Sequence, residues 1–154
     1  MHENLVIADT SCLIILSKVD ELNLLKAIYS RIIITPEIAS EFNQKIPNWI
    51  EIIETKDKKL QLLFEDSLDL GESTALTLAF EIDNSLLILD DLKARKIAAK
   101  LGIKVTGTIG IIVKAKLRGY IPSAKYILEK ILNTDFRINA KIIEQAIKQA
   151  GESP

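Results

Sequence analysis

The sequence predicts a three-layer α/β/α sandwich around a central, mainly parallel sheet of four to five strands. Three observations carry that expectation. Short apolar runs, β-branched or Leu-rich, recur at residues 5–8, 32–34, 50–53 and 86–89, and none alternates with polar residues, as befits strands buried on both faces. Segments with helical spacing lie between them, which makes the order strand, helix, strand and favours right-handed crossovers. Cap and stop residues fall where those periods begin and end.

Taken in order, residues 5–8 form the first strand, and Asp9-Thr10-Ser11 follows it at once. After the run at 32–34, Thr35 and Pro36 read as the N-cap and first position of a helix. Ala75, Leu76, Ala79 and Phe80 share one helical face before the strand at 86–89, and Ala94, Ile97, Ala98 and Leu101 share another after it. Residues 104–106 make a weaker fifth strand. Gly102 and Gly119 stand where a helix ends in a left-handed residue. From about 122 to 150 the pattern is two terminal helices, broken at 133–139.

With 154 residues the chain has the length of one domain, and a single domain over 1–154 is expected. No apolar run approaches the roughly 18–20 residues of a membrane span, so no membrane partner is expected. The start shows no export signal, which leads to a cytoplasmic expectation. One cysteine, Cys12, and one histidine, His2, exclude an internal disulfide and a Cys/His zinc site. Any metal would be held by oxygen. A net charge of −1 argues against broad electrostatic adhesion to nucleic acid and leaves room for a local basic surface.

In parallel sheets ligands bind beyond the carboxyl ends of the strands. Asp9 after the first strand and Asp90-Asp91 after the run at 86–89 therefore share one edge, and carboxylates without Cys or His suit Mg²⁺ or Mn²⁺. Asp9 is equally placed to be a helix N-cap, and one of Asp90 and Asp91 can cap while the other is left over. Glu72 lies on the small apolar face of the helix opened by Gly71. There it is either a ligand or a first-turn acid favoured by the helix dipole. Glu41 is either a further ligand or half of an i,i+4 pair with Lys45 worth about 0.3–0.5 kcal/mol; Glu37, a turn earlier, reads as a dipole residue.

Together, Asp9-Thr10-Ser11, Glu41 within Pro36-Glu37-Ile38-Ala39-Ser40-Glu41-Phe42, Gly71-Glu72 and Asp90-Asp91 resemble the PIN domain nucleases, a family that includes VapC-type toxins of toxin–antitoxin pairs. Leu89-Asp90-Asp91-Leu92-Lys93-Ala94-Arg95, Thr106-Gly107-Thr108-Ile109-Gly110, Lys114-Ala115-Lys116 with Gly119, Phe136-Arg137-Ile138 and the closing Gly151-Glu152 are similar to one subfamily carrying a Gly-Glu motif. The resemblance implies an acid cluster binding one or two Mg²⁺ or Mn²⁺ ions and hydrolysing RNA phosphodiesters. It marks Asp9, Glu41, Glu72 and Asp90 as catalytic and the same four with Asp91 as metal ligands, Asp90 being preferred to Asp91. An antitoxin and a second copy of the chain are the implied protein partners. Thr10, Ser11 and Thr108 are candidates to orient water or phosphate, or else helix caps.

An acidic pocket needs nearby positive charge to accept phosphate. Lys93, Arg95, Lys96, Lys100 and Lys104 make one basic set and Lys114, Lys116 and Arg118 another, both expected along the acidic edge; the alternative for each is a solvated helix face. With few aromatic residues, no base-stacking platform is evident. Two rival readings are a catalytically inactive PIN-fold module for protein interaction or antitoxin binding, motivated by the Gly71-Glu72 departure from the aspartate common in VapC toxins, and a phosphoacceptor receiver domain. The latter has its acid pair on the wrong strand.

Overall fold

The structure, a computed structural model, describes residues 3–154, with side chains from residue 5 onward; His2 lies outside the described residues. Five strands, β1 (Glu3–Ala8), β2 (Tyr29–Ile34), β3 (Ile50–Ile52), β4 (Leu86–Ile88) and β5 (Lys104–Thr106), form one parallel sheet in the order β3-β2-β1-β4-β5. Helices flank it, as the alternating pattern predicts. Val6, Ile7 and Ala8 of β1, Ile32, Ile33 and Ile34 of β2, and Leu87 and Ile88 of β4 are all buried. Each successive side chain of these strands points into a helical layer, so neither face can be polar and no alternation appears.

The boundaries differ in small ways with clear causes. β2 starts at Tyr29, three residues before the apolar run, because the short helix α2 (Asn23–Ile28) feeds directly into it and Tyr29 pairs with Glu3. β3 and β4 stop one residue before the runs do. Their ladders nonetheless continue, with Ile53 N–H donating to Ile34 O at 2.9 Å and Leu89 N–H to Thr106 O at 2.9 Å.

From β1 the chain steps outward to β2 and β3, then returns over the sheet to add β4 and β5 on the other side of β1. The line between β1 and β4 is where the winding reverses. At such a switch point the connections on the two sides diverge and leave a crevice at the carboxyl edge. Asp9 lies on that line, its N–H still bonded to Ile88 O at 3.2 Å.

Thr35 caps α3 (Pro36–Phe42) by accepting the Ile38 N–H at 3.2 Å, with Pro36 at the first position. Gly102 and Gly119 have φ of +71° and +79°, the left-handed conformation in which a side chain would clash. The remaining helices are α1 (Thr10–Lys18), α4 (Lys58–Glu65), α5 (Leu70–Glu81), α6 (Leu92–Lys100), α7 (Thr108–Leu117), α8 (Ala124–Leu132) and α9 (Ala140–Gln149). Among the described residues no helix is long and apolar enough to cross a membrane.

The last two helices pack on α7, and the chain end is tied back to them. Glu152 accepts hydrogen bonds from Ser123 Oγ at 2.7 Å and Ala124 N at 2.6 Å at the start of α8, and meets Lys116 Nζ of α7 at 3.6 Å. A carboxylate here satisfies amides that the helix cannot pair itself. Glu152→Ala is expected to lower stability by about 1–2 kcal/mol in urea denaturation, while Glu129→Ala on the exposed face of α8 leaves it unchanged.

Candidate active site

The carboxyl edge of the sheet collects acids from four places in the chain. Asp9 leaves β1, Glu41 projects from the last turn of α3, Glu72 from the first turn of α5, and Asp90-Asp91 leave β4 before α6. Asp69, the residue that caps α5, joins them through the electrostatic field it exerts on Asp9 and Glu72.

Asp9 occupies the N-cap position of α1, yet its side chain makes no capping hydrogen bond. It is 4% exposed. Burial pushes its carboxyl pKa up to about 7; the Thr10 amide pulls the other way, and the charges of Glu72, Asp69 and Glu41 add to the rise. Loss of hydration penalises the charged form, and neighbouring negative charge penalises it again.

Glu72 is the third residue of α5 and closes a capping box. Asp69 Oδ1 accepts the Glu72 N–H at 2.8 Å, and Glu72 Oε1 accepts the Asp69 N–H at 3.4 Å. Such a reciprocal box satisfies two amides at a helix start. Its pKa is also pushed up to about 7, by burial first and then by Asp69 and Asp91, with the Asp69 amide opposing and Glu41 adding a smaller rise. Asp69 was missed by the sequence reading, although Asp69-Leu70-Gly71-Glu72 has the acid-x-x-Glu spacing of the box.

Glu41 does not pair with Lys45. The helix ends at Phe42 and Asn43 turns left-handed at φ +52°, so Lys45 never reaches the next turn of the same face. The carboxylate instead accepts Thr10 Oγ1 at 2.5 Å and the Gly71 N–H at 3.2 Å, joining the starts of α1 and α5 to the end of α3. Any side chain at residue 71 would overlap this carboxylate, since a Cβ there would meet Glu41 Oε1 and stand 2.9 Å from Cδ. The Gly in the Gly-Glu motif is there for Glu41.

The adjacent acids after β4 divide their tasks. Asp90 accepts the Thr108 N–H at 2.8 Å, Thr108 Oγ1 at 2.6 Å and Ser11 Oγ at 3.0 Å, which fastens α1 and α7 to the end of β4. Asp91 caps α6 with one oxygen, accepting the Ala94 N–H at 2.9 Å, and is exposed. Thr10, Ser11 and Thr108 thus donate their hydroxyls to Glu41 and Asp90. Cys12, fully buried beneath them, has its thiol pKa pushed upward by burial and by Asp90, so it is no thiolate nucleophile.

Among the described residues, no three acids stand close enough to share one cation with their side chains as positioned. The donor set itself is all carboxylate oxygen, the chemistry a hard divalent cation takes. Asp9 and Glu72, both raised to about 7 by burial and by the charge of neighbouring acids, are groups that a cation would stabilise as carboxylates. The residues therefore fit such an ion in charge and donor type.

The basic residues separate. Lys93 and Arg95 are exposed in the first turn of α6, beside the acids. Lys104 begins β5, and Lys114 approaches the Tyr29 hydroxyl at 3.4 Å, with its ammonium 5.3 Å from that ring's centroid. Lys104, Tyr29 and Lys114 line one hollow at the amino edge of the sheet, opposite the acids. The expectation that both basic sets follow the acidic edge is corrected for these two: α7 rises about 1.5 Å per residue and carries Lys114 away from Thr108. Lys116 is engaged by Glu152.

An all-parallel sheet flanked by helices, with a buried carboxylate at its switch point, defines an α/β/α domain with an acidic carboxyl edge. Residues 5–152 match a family model described as a PIN domain. The chain belongs to the PIN domain family, whose members are generally nucleases. No curated protein and no solved structure matches it.

Two outcomes follow from the site's packing and charge. Gly71→Ala, which in an ordinary helix interior stabilises by about 1 kcal/mol, is expected here to lose that gain in urea denaturation, because the exposed Glu41 carboxylate must swing aside and give up its bonds to Thr10 and the Gly71 N–H, each worth about 1 kcal/mol. Asp9 has its pKa raised from 3.8 to about 7 on folding, so between those values the folded state binds more protons than the unfolded one and stability falls as pH rises. In EDTA, Asp9→Asn is therefore expected to melt higher than the parent protein at pH 7.5, by up to a few kcal/mol at about 1.4 kcal/mol per pKa unit, and to lose that advantage near pH 4.

Proposed function

We propose that this PIN domain is a metal-dependent endoribonuclease that hydrolyses RNA phosphodiester bonds with Mg²⁺ or Mn²⁺, as the toxin of a toxin–antitoxin pair. The observation that carries the reading is Asp9: a carboxylate buried at the switch point, uncapped, and crowded by the acids of two helices. A buried acid with neither cap nor ion pair costs stability. Its retention is explained by a cation that the chain recruits.

Asp9, Glu72 and Asp91 are assigned as the carboxylates that face the ion, Asp91 in place of the Asp90 that the resemblance prefers because Asp90 already accepts three hydrogen bonds. Glu41 and Asp90 are assigned to the same site as catalytic acids that also set its shape, Glu41 through Thr10 and Gly71, Asp90 through Ser11 and Thr108. When bound, a divalent cation supplies water activation and neutralisation of charge on the phosphoryl oxygens. The chain's own residues hold the carboxylates in position, and Lys93 and Arg95 lower the repulsion an RNA backbone meets at the acidic mouth. Thr10, Ser11 and Thr108 orient acids in this assignment, their hydroxyls donating to Glu41 and Asp90. A cognate antitoxin and a second copy of the chain are the proposed partners.

A second reading, an inactive PIN-fold module that binds a protein partner, is favoured by the absence of any three convergent acids among the described residues and by the internal engagement of Glu41 and Asp90. Incubation of the purified protein with end-labelled RNA separates the two. The nuclease reading expects cleavage with Mg²⁺ or Mn²⁺, none in EDTA, and a loss of roughly two orders of magnitude or more in Asp9→Asn, whose circular dichroism spectrum stays native. Cleavage that survives that substitution, or none under any divalent ion, favours the module.

A further inference from the structure

Beside the acidic mouth lies a half-open cavity of about 340 Å³, at the carboxyl ends of β4 and β5, lined in part by the segment that links α8 to α9. Its walls include Ile109, Phe136 and Ile142, and its polar lining includes Asp90, Arg95 and Arg137. Phe136, partly buried, packs against the core and lines this hollow. The volume falls near the lower end of small-molecule sites, about 300–1,000 Å³. It suits a single nucleotide and is too small for a helix.

Its charges are arranged for a phosphate. Arg95 Nη1 and Asp90 Oδ1 each stand 3.0 Å from where a Cβ at Gly107 would lie, so the guanidinium and the carboxylate both approach the backbone closely there. Among the described residues neither Arg95 nor Arg137 forms an ion pair. Both guanidinium forks are thus available for an anion. Planar guanidinium groups bind phosphate oxygens two at a time, and an aromatic ring at the same place gives a base a face to lie on.

We propose that this cavity is a nucleotide subsite: it takes the single-stranded RNA residue next to the cleaved bond, with the base against Phe136, Ile109 and Ile142 and a flanking phosphate between Arg95 and Arg137. The assignment rests on the nuclease reading for its substrate class. It adds a specificity surface that the acids cannot provide, built by Phe136-Arg137-Ile138 at a long distance in sequence from the catalytic motifs.

The test is fluorescence anisotropy with a 5′-fluorescein-labelled RNA octamer in EDTA, where binding is read without cleavage. Arg137→Ala is expected to weaken binding about five- to tenfold and to reduce the salt slope by about 0.7, the value for one phosphate contact on a single strand. Arg137→Lys recovers the salt slope and only part of the affinity. Phe136→Leu weakens binding at an unchanged slope, and Lys58→Ala, remote on α4, binds like the parent protein. Parental affinity in both Arg137→Ala and Phe136→Leu overturns the subsite. So does displacement of the RNA by polyglutamate at equal charge concentration, which would mark the cavity as a face for an acidic protein. If the protein cleaves no RNA yet binds it through Arg137 and Phe136, the subsite stands and the nuclease reading falls; cleavage with Arg137-independent binding gives the reverse.

Discussion

Negative charge forced together at a desolvated edge is the constraint on which the rest of this structure depends. β1 runs through the middle of the sheet with both neighbours in register, so the residue after it emerges into the switch-point crevice wherever the flanking helices lie. That residue is Asp9, and its burial raises its pKa even before neighbouring charges are added. Acids from α3, α5 and the β4–α6 junction are then held around it by hydroxyl and amide donors that supply hydrogen bonds but no full positive charge. Hydrogen bonding fixes these side chains in place without neutralising them.

The acids consequently sort into two kinds. Glu41 and Asp90 each accept at least two hydrogen bonds and tie together helix starts that are far apart in sequence. Asp9 and Glu72 carry the electrostatic stress, and Asp91 contributes to it while capping α6 with one oxygen. Gly71 serves the same arrangement by absence, lacking the Cβ that would overlap the Glu41 carboxylate where it stands, and Gly107 lets Asp90 and Arg95 approach the backbone closely.

Much of this was legible in the sequence where the signal is local. Strands buried on both faces announce themselves as unbroken apolar runs, Thr35-Pro36 as a helix start, and Gly102 and Gly119 as helix ends, because each depends on a few adjacent residues. The acids after β1 and β4 were found for the same reason, since topology alone sends them to one edge. What escaped depends on three-dimensional direction. Asn43 ends α3 in a left-handed turn and so swings Glu41 away from Lys45 to Thr10. The length of α7 sends Lys114 to the amino edge of the sheet, beside Tyr29. The Asp69 box was written in the sequence and overlooked, while the cavity around Phe136 and Arg137 joins segments whose proximity no local pattern expresses.

The central claim is that the charge crowded around Asp9 exists to recruit a divalent cation. Calorimetric titration of Mn²⁺ into the metal-free protein at pH 7.5 measures this most directly. Saturable binding at one or two sites, lost in Asp9→Asn while Lys58→Ala retains it, is the result expected. An absence of binding at millimolar Mn²⁺, or binding that Asp9→Asn leaves intact, would contradict it.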